Sequence, residues 1–186
     1  MKERENILRI LEETKEAIKN DDSSRIKLLS NQTTNTASLT QDPDNITVAV
    51  IVYSLSKIME RKDYRELNGW SSFYRLVLTS LDRAIEDIKK NDEKSFRSDF
   101  EMVRKAINKI SGKLKKYIQE VFRSAEINKA SRIYEHGISM EQTAKLLGIT
   151  MYELADYAGK TGISDVPVSQ TMDAKARVKL AMEMFE

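Results

Sequence analysis

Residues 70–121 read WSSFYRLVLTSLDRAIEDIKKNDEKSFRSDFEMVRKAINKISGKLKKYIQEV, and the period of this stretch decides the fold class. Trp70, Tyr74, Val77, Leu81, Ala84 and Ile88 recur at spacings of four and three, which places them on one face of an α-helix. After the break Lys90-Asn91-Asp92 the pattern resumes at Phe96, Phe100, Val103, Ile107, Ile110, Leu114, Tyr117 and Val121. Two long helices with heptad seams and a short turn between them are expected to fold back as an antiparallel hairpin. Such seams close either within one chain, as a bundle with the helices upstream, or between two chains as a homodimer. The intramolecular bundle is the simpler outcome.

The composition agrees with an all-α protein. Of the 186 residues, 32% are charged, while Pro is 2 and Gly 6, a balance that favours long helices over sandwiches or Rossmann sheets. Cys is absent, which excludes disulfides, thiolate metal ligands and a Cys nucleophile. The charged N-terminus MKERENILRILEETKEAIKNDD does not read as a signal peptide, and no run approaches the ~20 apolar residues of a membrane span. A soluble, cytoplasmic protein without membrane contact is expected.

Upstream of the hairpin, Ile7, Leu11, Thr14 and Ile18 define an amphipathic helix over about 3–19, ended by Asn20-Asp21-Asp22 and followed by a short helical piece around Ser24 to Leu29. Residues 31–45, NQTTNTASLTQDPDN, carry no positive charge and little to bury, and they read as a long polar loop, either a connection or a ligand or partner loop. Asp42-Pro43-Asp44 supplies capping carboxylates and a helix-compatible proline before ITVAVIVYSLSKIME. That run is rich in β-branched residues. Even so, Val48, Ile51, Val52, Leu55, Ile58 and Met59 share a helical face and no second strand-like segment exists to pair with it, so it reads as a mostly buried helix. Residues 1–123 then form a helical bundle, and 124–186 a second unit.

In that second unit, residues 125–136 read as a helix with Gly137 beyond its end, and Ser139 with Gln142 three residues later makes a capping-box pattern. Ala144, Gly148 and the apolar Leu147, Ile149, Leu154 and Tyr157 occupy the crossing, turn and seating positions of a helix-turn-helix. A terminal helix begins near Met172, with Val178, Met182 and Phe185 on one side. The segment SRIYEHGISMEQTAKLLGITMYELADYAGKTGI, within about 125–163, resembles the short helix-turn-helix domain of small prokaryotic and archaeal antitoxin-like proteins. The resemblance implies a three-helix module used in regulator or antitoxin dimers, with DNA binding in some members. The small antitoxins carry little upstream of that module, whereas this chain carries over a hundred residues.

Groove-reading positions at the start of a second helix usually hold Arg, Lys, Gln, Asn or Ser. Here they are Thr150, Met151, Tyr152, Glu153, Ala155 and Asp156, and from Ser131 onward six Lys or Arg face eight Asp or Glu, a net charge of −2. Carboxylates oppose phosphate binding, so this head is not expected to bind DNA on its own. Positive charge lies instead between Val103 and Arg123, where Arg104, Lys105, Lys109, Lys113, Lys115, Lys116 and Arg123 face the single acid Glu120. None occupies the seam; Lys105, Lys109 and Lys116 share the outer face, a stripe suited to a phosphate backbone or an acidic partner, or else a solvated bundle surface.

No P-loop, dinucleotide glycine motif, GxSxG elbow or HExxH occurs, and His136 stands alone without a second metal ligand at helical spacing. Neither enzyme activity nor a cofactor or metal is expected. Two functions remain. The first is a regulatory protein acting through nucleic acid or a DNA-bound complex, with Arg104, Lys105, Lys109, Lys113, Lys116 and Arg123 as contacts. The second is an adaptor, antitoxin-like in kind, whose exposed Thr150, Met151, Tyr152 and Asp156 meet a protein partner.

Overall fold

The computed structural model describes residues 1–40, 42–109 and 112–161. The helices are α1 (Arg4–Lys19), α2 (Ser23–Thr40), α3 (Pro43–Glu60), α4 (Trp70–Lys89), α5 (Glu93–Lys109), α6 (Gly112–Glu135), α7 (Met140–Leu147) and α8 (Met151–Thr161), with a 3-10 turn at Lys62–Glu66. There is no strand among the described residues, so the chain is all-α as its composition predicts. None of the described helices is long and apolar enough to cross a membrane.

One local device builds both tight helical turns. After α1 the chain turns at Asp21 (φ 58°) and after α4 at Asn91 (φ 59°), residue types that tolerate the left-handed region. In each turn the next residue donates back five positions, Asp22 N–H to the Ala17 carbonyl at 2.8 Å and Asp92 N–H to the Asp87 carbonyl at 2.9 Å. The same two aspartates then cap the following helix. Asp22 Oδ1 accepts from the Arg25 amide at 2.8 Å, and Asp92 Oδ1 from the Ser95 amide at 3.0 Å.

At the start of α3, Pro43 takes the first helical position and Asp42 accepts from the Asp44 amide at 2.9 Å. This helix is buried nearly all round, from Asp44 to Met59, and is the central rod of the molecule. One core cluster joins α1, the first half of α2 through Ile26 and Leu29, α3, the 3-10 turn through Tyr64, α4, α5 and the first half of α6, ending at Phe122. The second begins at Ala125 of α6 and gathers Ala37 of α2, Ile46 and Val50 of α3, and the apolar faces of α7 and α8. Since α6 runs unbroken across position 123, the two clusters meet along a single helix.

The structure corrects three expectations. Residues 31–40 are not a loop: they form the second half of α2, and only a short link separates Thr40 from Pro43. Their hydroxyls satisfy themselves inside the helix, Thr33 Oγ1 donating to the Leu29 carbonyl at 2.9 Å, Thr34 to Ser30 at 2.8 Å and Thr40 to Thr36 at 2.9 Å. What remains is a small-residue surface at Thr33, Thr34 and fully buried Ala37 that lets α2 lie close against α3. Ser30 Oγ reaches across to the Ala49 carbonyl at 3.3 Å.

Secondly, the long second helix of the hairpin is two helices, α5 and α6, with Gly112 at a φ of +75°, a conformation that breaks a helix and suits glycine. The reset shifts the seam: Leu114, Ile118 and Phe122 are buried, whereas Tyr117 is exposed at its edge and stacks on Tyr64 at 5.3 Å. The third correction is at the start of α4, where Phe73, Val77, Ser80, Leu81, Ala84, Ile85 and Ile88 are buried, while Trp70 and Tyr74 stay half-buried at the rim. The side chains of Val103 and Ile107, residue 110 itself and the terminal helix placed near Met172 lie outside the described residues. Val77, Leu81, Ala84 and Ile88 of the seam are spent inside the single chain.

Candidate interaction surface on the C-terminal helices

α7 and α8 are short helices that cannot bury their apolar faces on each other alone. Ser139 caps α7 by accepting from the Gln142 amide at 3.2 Å, and Gly148 (φ 67°) closes it in the left-handed conformation that lets the chain swing into α8. Ala144, Leu147, Ile149 and Leu154 are buried as expected, joined by Ala158, and Tyr157 is only half-buried. Its hydroxyl accepts from Asn128 Nδ2 at 3.2 Å, tying α8 to α6.

The start of α8 is a complete capping box. Glu153 Oε2 accepts from the Thr150 amide at 2.9 Å and from the Thr150 hydroxyl at 2.8 Å, while that hydroxyl accepts from the Glu153 amide at 3.2 Å. Glu153 Oε1 pairs with Arg123 of α6, which also bonds Glu126 at 3.2 Å. Led by the Thr150 amide and then Arg123, these donors hold the Glu153 carboxyl down to about 2. One turn on, Asp156 accepts from Lys160 at 2.6 Å.

Of the exposed residues expected on this surface, Thr150 and Asp156 are therefore engaged locally. Met151 is 53% exposed and Tyr152 81%, and the two stand side by side beyond the box. Of the basic residues, Lys113 and Lys116 are exposed on α6, and Arg123 is occupied by Glu126 and Glu153. Arg104, Lys105 and Lys109 belong to α5, on the other side of Gly112, and their side chains lie outside the described residues. The basic run is thus divided between two helices.

A buried cation went unforeseen. Lys129 is 1% exposed, with Nζ 4.4 Å from the centroid of the Tyr53 ring on α3. Burial, and secondarily the Arg132 charge one turn on, pull its pKa down to about 8. Its position was visible in the spacing, since Phe122, Ala125, Lys129 and Ile133 form one stripe. The described residues contain no group of three His, Cys, Asp or Glu side chains arranged to hold a metal ion.

Comparison found no match for the chain among protein-family models, curated proteins or solved structures. The functional reading therefore rests on the residues of this surface alone.

Proposed function

We propose that the protein is a non-catalytic adaptor whose helix-turn-helix-like C-terminal unit docks on a protein partner through Met151 and Tyr152. The supporting observation is the division of labour at the start of α8. Thr150 and Glu153 are consumed by the capping box and Arg123, so the groups left facing outward are a thioether and a phenol. Base reading uses free donors and acceptors at that place, and phosphate binding uses free cations. A polarizable methionine beside an amphipathic tyrosine is instead the chemistry of a protein contact, adaptable in shape and with one polar tip. The partner is expected to offer an apolar recess with an acceptor for the Tyr152 hydroxyl.

Exposed Lys113 and Lys116 on α6 favour a second reading, the regulatory one, in which the same chain lies against nucleic acid. Affinity purification from the native host, with and without nuclease and with the wild type against a Met151→Ser/Tyr152→Ser variant, separates the two. The adaptor reading expects one partner, retained in near-equal amount after nuclease and lost in the double variant. Partners released by nuclease and indifferent to the double variant overturn it, and a Lys113→Glu/Lys116→Glu variant then tests the nucleic-acid reading.

A further inference from the structure

A second, independent site lies in the bundle, on residues outside α7 and α8. Where α1, α3 and α4 meet the 3-10 turn there is a cavity of about 250 Å³. Its apolar lining is Ile18, Met59, Trp70 and Tyr74, with the two aromatic rings 6.3 Å apart and inclined at 33°. Its charged lining is Lys19, Asp21 and Arg65. The size is below the range of drug-sized sites, about 300 Å³ upward, and suits a ligand of one or two rings.

The cation in the wall is already in place. Arg65 Nη1 donates to Asp21 Oδ2 at 3.0 Å, Nη2 pairs with the other carboxylate oxygen and donates to the Met59 carbonyl at 3.4 Å, and Nε is enclosed with no acceptor among the described residues. A guanidinium fixed in this way loses little freedom when it meets an anion. Asp21 is neutralised by that pair, Lys19 is exposed, and the Lys62 charge also acts on Asp21, so the mouth carries excess positive charge. Trp70 and Tyr74 are half-buried at the start of a helix whose Phe73, Val77, Leu81, Ile85 and Ile88 turn inward. Two rim aromatics beside the uncompensated charge of Lys19 and a guanidinium held in place by Asp21 are an aromatic floor with an anion-selecting wall.

We propose that this cavity binds a small aromatic carboxylic acid, its ring against Trp70 and Tyr74 and its carboxylate toward Arg65 and Lys19. Trp70 is the only tryptophan in the chain, so its fluorescence reports the site directly. The test titrates the full chain with benzoate, with benzamide, which keeps the ring and lacks the charge, and with cyclohexanecarboxylate, which keeps the charge and lacks the ring. Benzoate is expected to change Trp70 emission saturably, and each of the others to bind at least about tenfold more weakly. Arg65→Lys and Lys19→Gln are each expected to weaken benzoate about threefold or more. Lys19 is exposed, so the Lys19→Gln variant should melt with the wild type and remain usable whether or not Arg65→Lys folds. A non-saturating benzoate response overturns the proposal. So does cyclohexanecarboxylate or benzamide binding as well as benzoate, or undiminished benzoate affinity in Lys19→Gln.

Discussion

At the scale of single residues, two charges carry the most consequence, and they have opposite signs. Lys129 has a folded-state pKa of about 8, against an ordinary value of 10.5. The fold therefore disfavours its charged form: the penalty is complete below pH 8 and fades as pH rises towards 10.5. A shift of that size corresponds to about 3 kcal/mol, from which the Tyr53 ring already returns part. Lys129→Met is expected to stabilise the protein by about 1–3 kcal/mol at pH 7, with the gain over wild type shrinking towards zero by pH 10.5. Parallel denaturant melts at the two pH values check both size and trend. Glu153 runs the other way, with its pKa depressed to about 2, so its contribution is present above its ordinary 4.5 and is lost as pH falls through that window towards 2. Glu153→Ala should fray α8, seen as faster amide exchange from Met151 to Leu154, while Glu153→Gln keeps the capping bonds and loses mainly the Arg123 pair. Of the two, Glu153 was read in the sequence only as a groove position, and Lys129 was passed over. Lys129 falls in the stripe with Ala125 and Ile133, but a lysine in an apolar stripe does not by itself announce burial. Thr150-x-x-Glu153 spells a capping box, but it competed with a reading of the same residues as base contacts.

At the scale of elements, helix periodicity was legible wherever large apolar residues repeat, as along α1, α3 and α4, and illegible where small polar ones do the packing. Residues 31–40 have almost no hydrophobic signal because threonine hydroxyls folded onto their own helix present methyl groups outward, an outcome that residue type alone does not announce. Ala37 tests this element. Because it is fully buried against α3, Ala37→Leu should overpack the contact and cost about 1–3 kcal/mol, with loss of helical circular dichroism, whereas in a polar loop it would be silent. The Asn91 turn gives a second test. Asn91→Gly should melt close to wild type and Asn91→Val about 1–2 kcal/mol less stably, because a β-branched side chain resists the left-handed conformation that both turns require. The interruption at Gly112 was overlooked for a related reason: a heptad can be drawn straight through one glycine, and only the backbone shows the change of phase.

At the scale of the whole molecule, the all-α class followed from composition and period, but the partners of each helix did not, since an apolar face does not name what will cover it. The sequence suggested a bundle over 1–123 followed by a separate unit. In the folded chain the second core cluster borrows Ala37, Ile46 and Val50 from α2 and α3. A chain cut after Arg123 is therefore expected to expose those three side chains, to lose part of α6, and to melt below a chain ending at Thr161. Thermal unfolding of the two fragments decides it. A 1–123 fragment as stable as the longer one would mean that the borrowed contacts contribute nothing. The exposed pair at Met151 and Tyr152 then belongs to a unit whose footing is the bundle itself, and the rim aromatics Trp70 and Tyr74 were legible only as seam positions because their half-exposure depends on what Phe73 takes inside.

The two Asp and Asn turns also set a folding schedule. Each joins helices adjacent in sequence through a few residues, so the α1–α2 and α4–α5 pairs are local contacts that loop closure barely penalises, and they belong to the microsecond regime of helix and short-loop formation. The central rod is different. α3 must find α6, some seventy residues later in the chain, before either cluster is dry, so the barrier is expected to lie in seating that one helix between preformed hairpins. Substitutions at Asp22 or Asp92, whose turns form before that barrier, should then slow refolding while changing escape from the native state little. Substitutions at Ile51 or Leu55, seated only at the barrier, should divide their effect between slower refolding and faster unfolding.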